Sequence, residues 1–277
     1  MTTLSVCVPA YNSARTLAAT LRSVLEQEVD FELVVLDNAS TDATSEIAHS
    51  FDDPRIRVIR NDSVLPIGDN WNTVIRASTG TLVKVVCADD VLRPGALTAQ
   101  LKVMADESIA ICASRFEVID EAGEVLETEL GLAGLEGRQT ARALARTIVR
   151  RGPADFGPTA AAMFHREHFD RVGGLRGDLV FPMDVDLFAR VSSFGVFYGM
   201  SEITAAWRNS SFNLCSSTST VSKLTDMLRF HHRLAGDYPE LVKRADVLAG
   251  DTRLAKAALQ RLRIRTVATV RHRPDLL

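Results

Sequence analysis

Four short apolar runs, at residues 4–9, 32–36, 56–59 and 82–86, alternate with segments of helical periodicity. Three of the four stop abruptly on turn residues and acids. Runs this short and this uniformly apolar read as strands covered on both faces. Strands alternating with helices pack as a mostly parallel sheet flanked by helices, with right-handed crossovers. The first run leads into Tyr11-Asn12 and then Ser13, read as the N-cap of a helix with Leu17, Leu21, Val24 and Leu25 on one face. The second ends in Asp37-Asn38-Ala39-Ser40-Thr41-Asp42, and the fourth opens onto Asp89-Asp90 before Pro94 starts a helix. Open α/β sheets place ligands at the carboxyl ends of their strands, so these polar ends are the candidate site.

The rest of the chain reads as strands at 109–114 and 116–120, a loop-rich stretch at 123–137 and a helix at 140–150. A strand at 159–164, a short helix at 167–172, a helix at 184–194 and a strand at 196–200 follow. From 222 onward the pattern is helical, broken near Asp237-Tyr238-Pro239 and Gly250-Asp251. The expected division is one α/β domain over 1–221 and a basic helical C-terminal extension over 222–277. With 46% hydrophobic and 24% charged residues the composition is that of a globular chain, not a disordered one.

No 18-residue apolar run occurs and Met1-Thr2-Thr3 lacks a basic flank, so the expected location is the cytoplasm. Cys7, Cys87, Cys112 and Cys215 are widely spaced and read as reduced thiols, without a zinc or disulfide pattern. The net charge of -3 conceals an asymmetry. Residues 223–277 carry 12 Lys plus Arg against 6 Asp plus Glu, and the preceding residues carry 20 against 29. A basic tail suggests peripheral contact with an anionic membrane at its inner face; the wet face of terminal helices, or tail-mediated homodimerisation, explains it equally. Slight overall acidity and the lack of interleaved aromatics exclude a nucleic-acid partner.

Three constellations carry chemistry. Pro9-Ala10-Tyr11-Asn12 with Asp37 to Asp42 can hold a nucleobase and ribose, through a carboxylate acceptor and an aromatic face; the structural alternative is turn and helix capping by Asp37 and Asp42. No glycine-rich turn follows the first run, which excludes a dinucleotide fingerprint and a P-loop. Cys87-Ala88-Asp89-Asp90 sets two acids side by side at a strand mouth, where Mg2+ or Mn2+ with diphosphate oxygens relieves their repulsion; helix capping ahead of Pro94 is the alternative. In Phe181 to Arg190, Asp186 and Arg190 pair across one helical turn, which leaves Asp184 uncommitted as a proton acceptor or as a plain N-terminal carboxylate. Lys84, inside the fourth run, either faces phosphate or snorkels to water.

The ordered set resembles the family 2 nucleotide-sugar glycosyltransferases of the GT-A fold, over roughly residues 4–210. The carrying pieces are Ser5 to Asn12, Val34 to Asp42, Gly68, Asn72, Gly80, Ala88-Asp89-Asp90, Gly157-Pro158, Gly173-Gly174 and Asp184 to Arg190. The resemblance implies a nucleobase contact for Asp37, a pocket lined by Pro9 to Asn12, a metal ligand in Asp89 with Asp90 second, and a catalytic base in Asp184. It also implies inversion at the anomeric carbon, a nucleotide diphosphate sugar as donor, and a saccharide or lipid-linked acceptor, as in surface polysaccharide or glycoconjugate synthesis. Cys87 stands where many members have aspartate, so the contact of that acid is lost or passes to Asp90. Trp207-Arg208-Asn209-Ser210-Ser211 lacks the histidine that many members place after the arginine. The metal is then expected to rest on Asp89, diphosphate oxygens and water. A nucleotidyltransferase is the first competing function, although the loop after the first strand has no Lys or Arg before Arg15. A non-catalytic nucleotide-sugar-binding relative is the second, favoured by Cys87.

Overall fold

The structure, a computed structural model, describes residues 3–272 except 133, 154, 155, 212, 214, 215 and 217, and only the helical backbone of 261–272. The strands are β1 (Leu4–Ala10), β2 (Glu32–Asp37), β3 (Ile56–Arg60), β4 (Leu82–Val85), β5 (Val91–Leu92), β6 (Ile109–Ile119), β7 (Val125–Leu130), β8 (Gly137–Gln139), β9 (Ala162–His165) and β10 (Val196–Arg208). The helices are α1 (Leu17–Leu25), α2 (Thr44–His49), α3 (Ile67–Ala77), α4 (Ala96–Met104), α5 (Ala141–Arg151), α6 (Arg166–Arg171), α7 (Met183–Val191), α8 (Thr220–Asp237) and α9 (Arg244–His272).

One sheet runs in the order β3-β2-β1-β4-β9-β6-β10-β5, with β7 added to β6 and β8 to β10. The first four are parallel, as the alternation with helices predicts. Beyond β4 the sheet becomes mixed, because β9 runs antiparallel to both β4 and β6 while β10 is parallel to β6. Two reversals restore the direction, so β1, β2, β4, β6 and β10 all end at one edge, and β9 begins there.

Neighbouring residues of the parallel strands alternate between two cores. Leu4, Val6, Val8, Leu33 and Val35 pack under α1 and α4, whereas Cys7, Val34 and Leu36 face α3, α5 and α7. This two-sided burial is why the strands carry no polar alternation. Cys7 and Cys112 are buried core thiols; Cys215 lies outside the described residues.

Several boundaries differ from the sequence reading. Ser13 does not cap α1: its carbonyl closes a preceding turn by accepting the Thr16 and Leu17 amides, and Thr16 is the capping position. The strands read at 109–114 and 116–120 are one continuous β6, and the stretch at 123–137 contains β7. β10 extends eight residues past the expected end at 200, to Arg208. Thr140 caps α5, its side chain accepting the Ala143 amide at 3.1 Å.

α8 and α9 are not an appendage. Met227, Phe230, Leu234, Leu241, Val242, Val247 and Leu254 share one core with α5 and α7. Leu228 on α8 is exposed, because helical phase turns Met227, Phe230 and Leu234 of the same helix inward, and Leu259 on α9 is exposed as well.

Candidate active site

The loops after β1 and β2 brace each other. Asn12 and Ala39 both adopt left-handed backbone, with φ of 48° and 55°. The Asn12 amide donates to Ser40 Oγ at 2.9 Å, and Asn12 Oδ1 accepts the Thr41 amide at 2.9 Å. The Ser13 amide reaches Thr44 Oγ1 at 2.7 Å, and Ala14 donates to Asp42 Oδ2 at 3.1 Å. Asp42 thus ties loop to loop and also accepts the Thr44 amide at 3.0 Å, while the capping position of α2 is Ala43. Its hydrogen bonds to Thr44 and Ala14 outweigh burial and hold its carboxyl below the ordinary value.

The expected ligand contacts in this region need revision. Pro9 and Ala10 are buried at the end of β1 and serve as wall. Asp37 has 0% exposure; one carboxylate oxygen accepts the Ser40 amide at 3.0 Å and the other is ion-paired with Arg60. In this arrangement Asp37 fixes the loop and offers no open face to a base. Tyr11, 49% exposed, and Asn12 present the open surface. Arg60 was not singled out in the sequence, since 23 residues separate it from Asp37; its place at the end of the adjacent strand was the available signal.

At the end of β4, Ala88 is buried, with its carbonyl accepting Thr16 Oγ1 at 2.8 Å. Asp90 is also buried, and its Oδ1 accepts the Arg208 amide at 3.1 Å. Asp89 is partly exposed. Burial raises the Asp89 carboxyl, against its own backbone amide and Arg208; burial and then the Asp89 charge push Asp90 well up. The Cys87 thiol and the two carboxylates bring ligand atoms within 4.8 Å of one another. Two hard oxygens suit Mg2+ or Mn2+, and the thiol is a softer third donor, so the set fits a divalent cation. Arg208, which takes the place before the missing histidine, holds this loop: its guanidinium donates to the carbonyls of Asp89 at 2.9 Å, Asp120 at 2.9 Å and Glu121 at 3.1 Å.

Asp184 opens α7, and its partners differ from those of Asp186. Asp186 has 0% exposure and pairs with Arg190 at 2.8 Å, as the spacing of four predicts, and with Arg176 at 3.4 Å. Arg190 also donates to the carbonyls of Val172 and Gly174, at 3.0 and 2.9 Å. A Cβ on Gly174 would stand 2.5 Å from Asn72 Oδ1, so only glycine fits that turn. Asp184 Oδ1 instead takes the Val185 amide at 2.7 Å, and Oδ2 takes the Thr159 hydroxyl at 3.1 Å. Burial raises its carboxyl, as a proton acceptor requires.

Lys84 is a correction. It has 0% exposure, and its Nζ donates to Gln100 Oε1 at 2.7 Å, to the Ala160 carbonyl and to the Ala162 carbonyl at 3.5 Å. It neither faces phosphate nor snorkels. Burial pulls its pKa down to about 7.

Register places these parts along one edge. Ala10 stands beside Asp37, Cys7 beside Val85, and Ala206 beside Val91. The antiparallel pairing of β4 with β9 brings the Thr159–Ala161 turn, and through it Asp184, to the edge where β4 delivers Asp89.

An open α/β sheet with acids gathered at its carboxyl edge is the architecture of a nucleotide-binding enzyme class. The model of glycosyl transferase family 2 matches residues 5–173, more than half of the chain, and the chain belongs to that family. Its fold is GT-A. The fold is shared with S. aureus TarS in complex with UDP-GlcNAc, with a TM-score of 0.66 and 16% identity over 84% of this chain and 66% of that one. It is also shared with the mannosyltransferase PcManGT from Pyrobaculum calidifontis in complex with GDP-Man and Mn2+, with a TM-score of 0.59 and 17% identity over 99% and 81%. The succinoglycan biosynthesis protein ExoO of Rhizobium meliloti is 31% identical over 153 residues, 54% of this chain and 44% of that protein. The chain spans between 44% and 61% of the length of the first curated relatives it matches.

Proposed function

We propose that this chain is an inverting glycosyltransferase that moves a sugar from a nucleotide diphosphate sugar to an acceptor hydroxyl, in surface polysaccharide or glycoconjugate synthesis. The observation that carries the reading is the single sheet edge that gathers the Tyr11–Asn12 surface, Asp89 and the Thr159-held Asp184 in a family 2 chain. Tyr11 and Asn12 offer the surface for the base. A base that reaches Asp37 displaces Arg60.

Asp184 accepts the proton of the acceptor hydroxyl as that oxygen attacks the anomeric carbon from the face opposite the diphosphate. Bond formation to the acceptor oxygen and departure of the nucleoside diphosphate invert the configuration in one displacement. When bound, Mg2+ or Mn2+ supplies neutralisation of charge on the departing diphosphate, and Asp89 would hold it with Cys87 and Asp90 beside it. Asp90 is turned to the Arg208 amide, which favours Asp89 as the direct ligand.

The acceptor is a saccharide or a lipid-linked sugar presented at the inner face of a membrane, which the chain meets peripherally. Among the described residues no helix is long and apolar enough to cross a membrane. What supports the membrane contact is the basic tail, where residues 223–277 carry 12 Lys plus Arg against 6 Asp plus Glu. Homodimerisation through the C-terminal helices is a second use of that region. The test of the central reading is nucleoside diphosphate release from a panel of UDP-, GDP- and TDP-sugars with Mn2+, with the product anomer read by NMR. Release of inverted product supports it; retention of configuration, or no release across the panel, overturns it.

A further inference from the structure

We infer that Thr159 is the positioning residue for the Asp184 base, set in place by a buried polar anchor beneath it. The inference rests on the reading of Asp184 as that base. Thr159 is buried and lies on a different segment from α7. Its hydroxyl grips one carboxylate oxygen while the Val185 amide grips the other, so rotation of the carboxyl group is restrained from two directions. The remaining lone pairs then keep one orientation toward an acceptor hydroxyl.

A single hydrogen bond of 3.1 Å positions nothing if its donor is loose. Thr159 is not loose. The three residues after it have their carbonyls tied to groups from two other elements: Lys84 Nζ of β4 holds Ala160 and Ala162, and Gln100 Nε2 of α4 holds Ala161 at 2.8 Å. Lys84 and Gln100 are joined to each other at 2.7 Å. Three oxygens around Nζ match the three donors of an ammonium group, which is what makes so costly a burial tolerable. A fully buried lysine serves no solvent-facing or ligand-facing purpose, and its bonds converge on the segment that reaches Asp184. The charged group acting on the carboxylate is Asp186 on its own helix, which Arg190 and Arg176 neutralise.

The experiment uses the full chain labelled with 13C at aspartate carboxyl carbons, with Asp184→Asn identifying the Asp184 resonance. A hydrogen bond to a carboxylate favours its charged form. Thr159→Val keeps shape and removes the donor, so the Asp184 titration midpoint moves to higher pH; Thr159→Ser keeps the donor and the wild-type midpoint. In parallel, nucleoside diphosphate release from UDP-glucose and GDP-mannose with Mn2+ falls about tenfold in kcat for Thr159→Val, with donor KM unchanged. Thermal melts confirm folding, and Thr159→Ala replaces the valine variant if that one does not fold. An unmoved midpoint overturns the inference, and so does a fall in kcat without a moved midpoint, which makes Thr159 a packing residue. Full activity of Asp184→Asn overturns the base reading itself whatever the titration shows, so the two failures are told apart.

Discussion

Asp184 and Asp186 lie on the same turn of α7, and their neighbours give them opposite duties. Asp186 is buried between two arginines, so Asp186→Asn leaves a partly uncompensated guanidinium in the core. Breaking a buried pair in this way costs about 3–5 kcal/mol, and a chemical-denaturation midpoint well below wild type is the expected result. Asp184→Asn spares the fold but cannot take a proton. Turnover should fall by roughly 10²–10⁴-fold while nucleotide affinity, followed by calorimetry, stays near wild type. The pair with Arg190 was legible because it spans one helical turn. Arg176, Arg60 and Thr159 were not, since each meets its aspartate only after distant segments fold together. Local spacing says nothing of such contacts.

At the scale of elements, Lys84 shows why a strand can mislead. One cation in an apolar run suggests a side chain reaching for water or phosphate, because a buried lysine is rare. What makes it tolerable here is Gln100 from α4 and the carbonyls ahead of β9, 16 or more residues away. The consequence is a pH dependence with a definite sign. The folded-state pKa is pulled from 10.5 to about 7, so the unfolded chain binds more protons between those values. Stability contributed by this site therefore rises with pH across that window, by up to roughly 1.4 kcal/mol per pH unit, and below about pH 7 it no longer changes. Urea midpoints at pH 7.5 and 9.5 should shift upward in wild type relative to Lys84→Met; parallel behaviour of the two would contradict this account. The long parallel strands were legible from their continuous apolar runs. β5 and β7 were not, because the first is two residues long and the second is exposed almost throughout.

Over the whole molecule, helical periodicity identified the tail as helical but could not say what covers its apolar face. The answer is α5 and α7, so a chain ending at residue 219 should be recovered aggregated or unfolded, as judged by gel filtration and circular dichroism. Membrane contact is a separate matter. Full-length protein should sediment with anionic liposomes at low salt and release as salt rises; charge reversal at the exposed tail residues Arg244 and Lys256 together should weaken that binding. The central claim, that this sheet edge holds a nucleoside diphosphate with a divalent cation on Asp89, has a direct calorimetric test: titration of UDP, GDP and TDP, each with and without Mn2+, into wild type, Asp89→Ala and Asp90→Ala. The account predicts that one nucleotide binds more tightly with Mn2+, that Asp89→Ala abolishes the increment, and that Mn2+ alone binds wild type weakly. A Mn2+ increment that survives Asp89→Ala, or no binding of any nucleotide, would contradict it.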